Sequence, residues 1–300
     1  MNTAAKLSAY GAALALAAGG AWAAGTAVGP FSSTAGVPGD EEAGHGDTHS
    51  GTVAEAANTD EPGGLASSRG GYTLTPTSTT LTPGTKTPFT FRITGPDGHP
   101  VTEFDVEHEK RLHLIVVRRD TAGFQHVHPE LAADGTWSVP LSIADAGSYR
   151  AFADFKPAGA AATTLGVDLV APGDFRPVGY ALSKSSTVDG YEVRLDGDLV
   201  PGRTSKVTVT VTKDGKPVTD LQPYLGAYGH LVALRGGDLA YLHVHPDGEP
   251  GDGKTPAGPA VTFHAEVPSA GTYRLFLDFR HAGKVRTAEF TVGTRAGAGA

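Results

Sequence analysis

The chain has no cysteine, and its only methionine is Met1. These absences exclude disulfides, thiolate metal centres, a cysteine nucleophile and thioether ligation of copper. Any metal site must be built from imidazole, carboxylate, backbone oxygen or water. Basic charge is also short: 24 Lys and Arg stand against 32 Asp and Glu. The net charge is −8 and no basic run is present to track phosphates, which argues against a nucleic-acid partner. No serine elbow, phosphate loop or paired acidic site stands out, so the chain reads as a non-enzyme.

One long uncharged run exists, Leu7 to Val28, just after Lys6. Ala21-Trp22-Ala23 before Ala24 fits a signal-peptidase site. The run, about 20 residues long, also suffices to span a bilayer as an uncleaved helical anchor. Both readings make residues 1–30 a signal peptide or membrane anchor and place the rest outside the cytoplasm. Membrane contact is then expected through this segment only. Residues 31–70 are Gly, Ala, Ser, Thr, Pro and acid, a composition that buries too little apolar surface to offset ordering entropy. A flexible linker is expected there. Its Asp40 to His49 tract reads as solvated linker or as a weak metal-scavenging segment.

From Tyr72 onward the pattern is β. Phe89, Phe91 and Ile93 alternate onto one face, as do Trp137, Val139, Leu141 and Ile143. The order then repeats. Val207, Val209 and Val211 match the first set, Asp214-Gly215 matches Asp97-Gly98, and Ala270-Gly271-Thr-Tyr273-Arg274 matches Ala146-Gly147-Ser-Tyr149-Arg150. Short strands with frequent turn signals indicate a β-sandwich. The expected fold is all-β: two tandem β-sandwiches, 71–172 and 173–293, each long enough for its own core, and a flexible tail over 294–300.

Half of the chain's twelve histidines lie in two copies of one motif. The first runs from His113 through an apolar stretch to His126-Val-His128-Pro129. The second runs from His230 to His243-Val-His245-Pro246, 117 positions later. In the second copy Gly236-Gly237 is a hairpin turn signal. Pairing outward sets Leu234 against Leu239 and His230 against His243. Opposed residues share a face, and His245 returns to it two residues on. In the first copy the turn lies within Arg119 to Gly123. An even-numbered loop puts His113, His126 and His128 on one face; an odd one flips His113. Three same-face imidazoles suit zinc, copper or nickel, while half-buried strand histidines beside a loop are the structural alternative.

Asp145-x-Gly147-x-Tyr149 resembles the tyrosine corner of immunoglobulin-like domains, which implies structural roles for Tyr149 and Tyr273. The stretch from Leu112-His-Leu-Ile-Val-Val to Phe124-Gln-His-Val-His-Pro129 is similar to a group of uncharacterised bacterial exported proteins. Gly271-Thr-Tyr-Arg-Leu-Phe-Leu-Asp-Phe279 resembles exported sandwiches of the YtkA type, some of whose relatives are associated with copper handling. The resemblance spans both sandwiches but not the linker; it implies the fold, with copper as the ligand. Copper-resistance sandwich proteins use an N-terminal histidine exposed by signal cleavage. Here cleavage exposes Ala24, so that site does not carry over.

Arg150 with Asp154, and Arg274 with Asp278, alternate away from the core and read as surface ion pairs; a carboxylate orienting a metal-bound histidine is the other reading. His99 and His108 sit in polar turns and are expected to be solvated. His264 and His281 can approach the second cluster, depending on sheet packing. The expected function is an extracytoplasmic metal-binding protein that holds or relays a copper or zinc ion through His113, His126, His128, His230, His243 and His245, as two separate sites or, if the two hairpins face each other, as one shared site. Release is expected as the imidazoles protonate near their ordinary pKa of ~6.5. The alternative is a non-catalytic surface interaction module with structural histidines, whose partner is another exported protein.

Overall fold

The computed structural model describes residues 62–295; the expected signal or anchor segment, most of the linker and the last five residues lie outside them. The described chain is all-β, without an α-helix. Alternating apolar residues account for most strands, since one face of each covers a core. The first sandwich contains β1 (Ser68–Arg69), β2 (Tyr72–Pro76), β3 (Lys86–Thr94), β4 (Leu112–Arg118), β5 (Gln125–Val127), β6 (Glu130–Leu131), β7 (Thr136–Ser142), β8 (Gly147–Phe155) and β9 (Thr163–Ala171). The second contains β10 (Ser185–Val188), β11 (Tyr191–Asp196), β12 (Arg203–Lys213), β13 (Lys216–Pro217), β14 (His230–Arg235), β15 (Tyr241–Leu242), β16 (Val244–Pro246), β17 (Ala260–Val267), β18 (Thr272–His281) and β19 (Lys284–Gly293).

Each sandwich pairs two antiparallel sheets. In the first they run β1-β2-β3-β7-β6 and β5-β4-β8-β9. In the second they run β10-β11-β12-β17-β16, with β13 also on β12, and β15-β14-β18-β19. Phe91, Trp137, Leu114 and Ala151 belong to one core; Val209, Phe263, Leu231 and Leu275 belong to the other. Both tyrosine corners form. The Tyr149 hydroxyl donates to Asp145 O at 2.8 Å and the Tyr273 hydroxyl to Ser269 O at 2.7 Å.

A third core lies between the sandwiches. Ile115, Val117 and Phe152 of the first pack with Val232, Leu234, Leu239 and Phe276 of the second. Phe124 stacks on Phe276 with centroids 4.0 Å apart. Sheets β5-β4-β8-β9 and β15-β14-β18-β19 therefore meet through their outer faces. Every residue of β4 is buried, with Ile115 and Val117 in the seam and Leu112, Leu114 and Val116 in the sandwich core. Seven buried aliphatic or aromatic side chains are worth roughly 10–20 kcal/mol gross, so apolar burial favours assembly of the seam.

The seam corrects two sequence expectations. Arg150, Arg274 and Asp278 are not surface groups; they are 5%, 4% and 3% exposed, because residues 64–65 cover Arg150, Thr121 and Tyr180 cover Arg274, and His126 of the other sandwich covers Asp278. Residues 62–70 are not free linker. Arg150 Nε donates to Gly64 O at 2.8 Å, Tyr241 N to Gly63 O at 2.9 Å and Gly166 N to Ala66 O at 2.8 Å. A β-carbon at Gly166 would lie 2.0 Å from Gly64 O, so this close passage requires glycine. Backbone hydrogen bonds order the stretch, which composition alone does not register.

Candidate metal centre at the seam

The first motif folds as a β4–β5 hairpin. Leu114 pairs with Val127 and Ile115 with His126, an even-numbered connection. The parity puts His113, His126 and His128 on the seam face, and one ligand nitrogen from each lies within 4.8 Å of the others. His113 Nδ1 is 3.1 Å from His126 Nε2 and 3.2 Å from His128 Nε2. These separations are close to the ~3.3 Å edge of a tetrahedron with metal–nitrogen bonds of about 2.0–2.1 Å.

The outer nitrogens fix the tautomers. His113 Nε2 donates to Glu107 O at 3.1 Å, leaving a lone pair on Nδ1. His126 Nδ1 donates to Asp278 Oδ2 at 2.7 Å, leaving a lone pair on Nε2. His126 comes from the first sandwich and Asp278 from the second, and their side chains are 2% and 4% exposed. His128 can donate to His113 Nδ1, but the neutral His126 then faces the same atom lone pair to lone pair. A cation among the three nitrogens satisfies all of them; a second proton on His126, giving a buried imidazolium–Asp278 pair, is the other solution.

Burial, reinforced by neighbouring imidazoles, lowers His113 to about 4 and His128 to about 3. Both are neutral ligands at pH 7. A desolvated imidazole resists charging until the solution is more acidic than its ordinary pKa near 6.5. His230 is also pushed well below its usual value, first by burial.

The six motif histidines do not form two equivalent trios. His230 packs with the first group, its ring centroid 4.8 Å from His126 and 5.4 Å from His113. His243 and His245 are exposed elsewhere. The second hairpin also differs from the expected register: Leu234 pairs with Tyr241, not Leu239. Asp238 Oδ1 accepts from Ala240 N at 3.0 Å, Leu239 is buried in the seam, and the turn is longer by two residues as a result. A two-residue slip preserves facing, so register does not separate His243 from His230. The separation arises because β16 leaves β14 and pairs with β17, setting His245 opposite His264.

His108, expected to be solvated, is exposed but leans on His230 and His113 with centroids at 5.7 and 6.1 Å. His99 is exposed as expected. His281 joins neither cluster; it bonds the Tyr191 hydroxyl at 2.6 Å and Asp220 at 3.0 Å. Sequence reading set Asp278 on a solvent face and so missed its role. The unbroken apolar runs Leu114 to Val117, Leu231 to Leu234 and Leu275 to Leu277 carried the signal, because antiparallel strands without alternation are covered on both faces.

Two immunoglobulin-like sandwiches sharing a buried, histidine-rich seam define a tandem-sandwich protein. No curated protein matches the chain. It belongs to DUF8832, described as a domain of unknown function, whose model matches residues 66–168 and again 186–296. Among solved structures, the Escherichia coli adhesin FdeC is similar at 15% identity and TM-score 0.23, covering 75% of this chain and 64% of that one. Invasin, a bacterial integrin-binding protein, is similar at 11% identity and TM-score 0.24, covering 75% and 40%. The tandem Ig repeats of Dlar are similar at 7% identity and TM-score 0.21, covering 75% and 98%. The chain thus spans less than two thirds of the FdeC and invasin chains.

Proposed function

We propose that this chain is a non-catalytic extracytoplasmic module that holds one copper or zinc ion at the seam, through His113 Nδ1, His126 Nε2 and His128 Nε2. One observation carries the reading: His113 and His126 each tie up one ring nitrogen on an oxygen and turn the other lone pair toward the same point. A carboxylate and a carbonyl behind metal-facing imidazoles are the usual orienting partners of such ligands. An all-nitrogen donor set suits copper or zinc and disfavours calcium and magnesium. The extracytoplasmic placement rests on the N-terminal sequence.

Isothermal titration of the full chain with Cu(II) and then Zn(II), in a non-coordinating buffer, tests this. Submicromolar binding of one ion, lost in His126→Ala/His128→Ala, is expected. Weak, non-stoichiometric binding that ignores those substitutions overturns it.

A second reading is an interaction module in which the histidines are structural. The apolar seam supports it, since side chains of both sandwiches pack into one core there. Here His126 carries both protons and bridges Asp278 to His113. Nitrogen-15 chemical shifts of His126 at pH 7 separate the two: an imidazolium favours the structural reading, and a neutral ring that shifts on adding Zn(II) favours the metal.

A further inference from the structure

Resting on the metal reading above, we infer that His230 of the second sandwich is the fourth ligand of the same ion, so that metal binding links the two sandwiches through a coordination bond. His230 opens β14 and stands opposite Asp278, as His113 stands opposite Asp154 in the first sandwich. The two repeats thus bring corresponding histidines to the seam from opposite sides.

Imidazoles sharing one tetrahedral ion have ring centroids about 5 Å apart. Within the trio the separations are 5.3, 5.0 and 4.9 Å. His230 lies at a similar 4.8 Å from His126 and 5.4 Å from His113, but its nitrogens stand outside the group formed by the other three, so its ring has to turn toward them to complete the shell. Among the described residues its ring has no hydrogen-bond partner, whereas His113, His126 and His128 all have one. A ligand position would supply the partner that this ring lacks. Three nitrogens leave one corner of a tetrahedron open, on the side the second sandwich covers. His108 is the competing candidate, but it is exposed and its ring stands further off, at 5.7 and 6.1 Å from His230 and His113.

The inference makes the seam more than a packing interface. Three ligands from one sandwich and one from the other require both to be docked for full affinity, and the bound ion resists their separation.

The test uses the full chain loaded with one equivalent of Cu(II), reading coordinated nitrogens by electron paramagnetic resonance and affinity by competition with a chelator. Wild type is expected to show four nitrogens. His230→Ala is expected to show three and a 10- to 100-fold weaker affinity, with His230→Gln as a second variant and the metal-free urea midpoint as the control for folding. His108→Ala is expected to match wild type. A His230→Ala protein with unchanged spectrum and affinity overturns this inference alone, provided His126→Ala/His128→Ala still abolishes binding. Wild type without stoichiometric Cu(II) overturns the metal reading with it.

Discussion

The two copies of the histidine motif share their spacing and their Val-His-Pro ending, yet only the first keeps its His-x-His at the seam. The difference traces to one position on the neighbouring sheet. In the second sandwich Asp247 N donates to Thr262 O at 2.9 Å and Glu266 N to His243 O at 3.1 Å. Bonded pairs alternate along an antiparallel ladder, so His245 and His264 between them are also a bonded pair. In the first sandwich Glu130 pairs with Ser138, and two steps along that register His128 would face Pro140. Proline has no N–H, so the ladder cannot extend there. The β6 edge stops, and residues 125–127 stay on β4. Where β17 offers His264, the chain zips onto it and carries His243 and His245 to the surface.

A second asymmetry follows. Asp278 receives His126 from across the seam. Its counterpart Asp154 accepts from Thr164 Oγ1 at 2.8 Å, has no such imidazole, and is raised by burial to about 6.

The largest expected contrast lies between the two His-x-His pairs. Replacing His126 and His128 with alanine should weaken Zn(II) or Cu(II) binding on the order of a thousand-fold or more, since each ligand is worth several kcal/mol. Replacing His243 and His245 should leave the tight site within about two-fold. Equal losses in the two variants, measured by chelator competition, would break the comparison.

Next is acid. His113 and His128 are depressed to about 4 and about 3, so between pH 6.5 and 4 the unfolded chain takes up their protons first. Their contribution to stability is complete above 6.5 and declines as pH falls through that window. Metal should be retained at pH 5.5, and a titration in which it leaves near 6.5 would show the site to be solvent-like.

The two aspartates should then separate. Asp278→Asn should cost about 10- to 100-fold in metal affinity, because a neutral amide oxygen holds the His126 N–H more weakly than the carboxylate does. Asp154→Asn should leave affinity unchanged and stabilise the protein. With the folded pKa raised to about 6 from 3.8, the ionised carboxylate carries a penalty fully present above 6 and absent below 3.8. The gain in chemical denaturation at pH 8 should reach up to about 3 kcal/mol and vanish near pH 4. A gain that does not depend on pH would mean that Asp154 is not desolvated.

The smallest effect is expected from Pro140→Ala. It restores an N–H where the first edge ladder stops, letting residues 126–128 compete for β7 as residues 243–245 do for β17. One ladder bond is worth about 0.5–1.5 kcal/mol, so affinity should fall roughly two- to ten-fold. Slowed hydrogen exchange at the new amide would accompany it. An unchanged affinity with a fast-exchanging amide would show that something other than Pro140 holds β5 on β4.

Much of this protein is legible in its sequence. The duplication, the strands and both tyrosine corners follow from a period of two and from turn chemistry, which act over neighbouring residues, whereas the shared face of His113, His126 and His128 waited on the parity of the first loop. The tertiary structure alone decided what lies on those faces. Alternation places Arg150, Arg274 and Asp278 away from their own core, but cannot say whether water or a second sheet covers them. Nor does hairpin parity foresee that His230 meets the first trio, that Asp278 orients a histidine 152 positions away, or that His264 draws His245 aside. Those outcomes depend on contacts between segments far apart in the chain, where the fit of two sheet faces and the presence of one backbone N–H determine which partner each side chain meets.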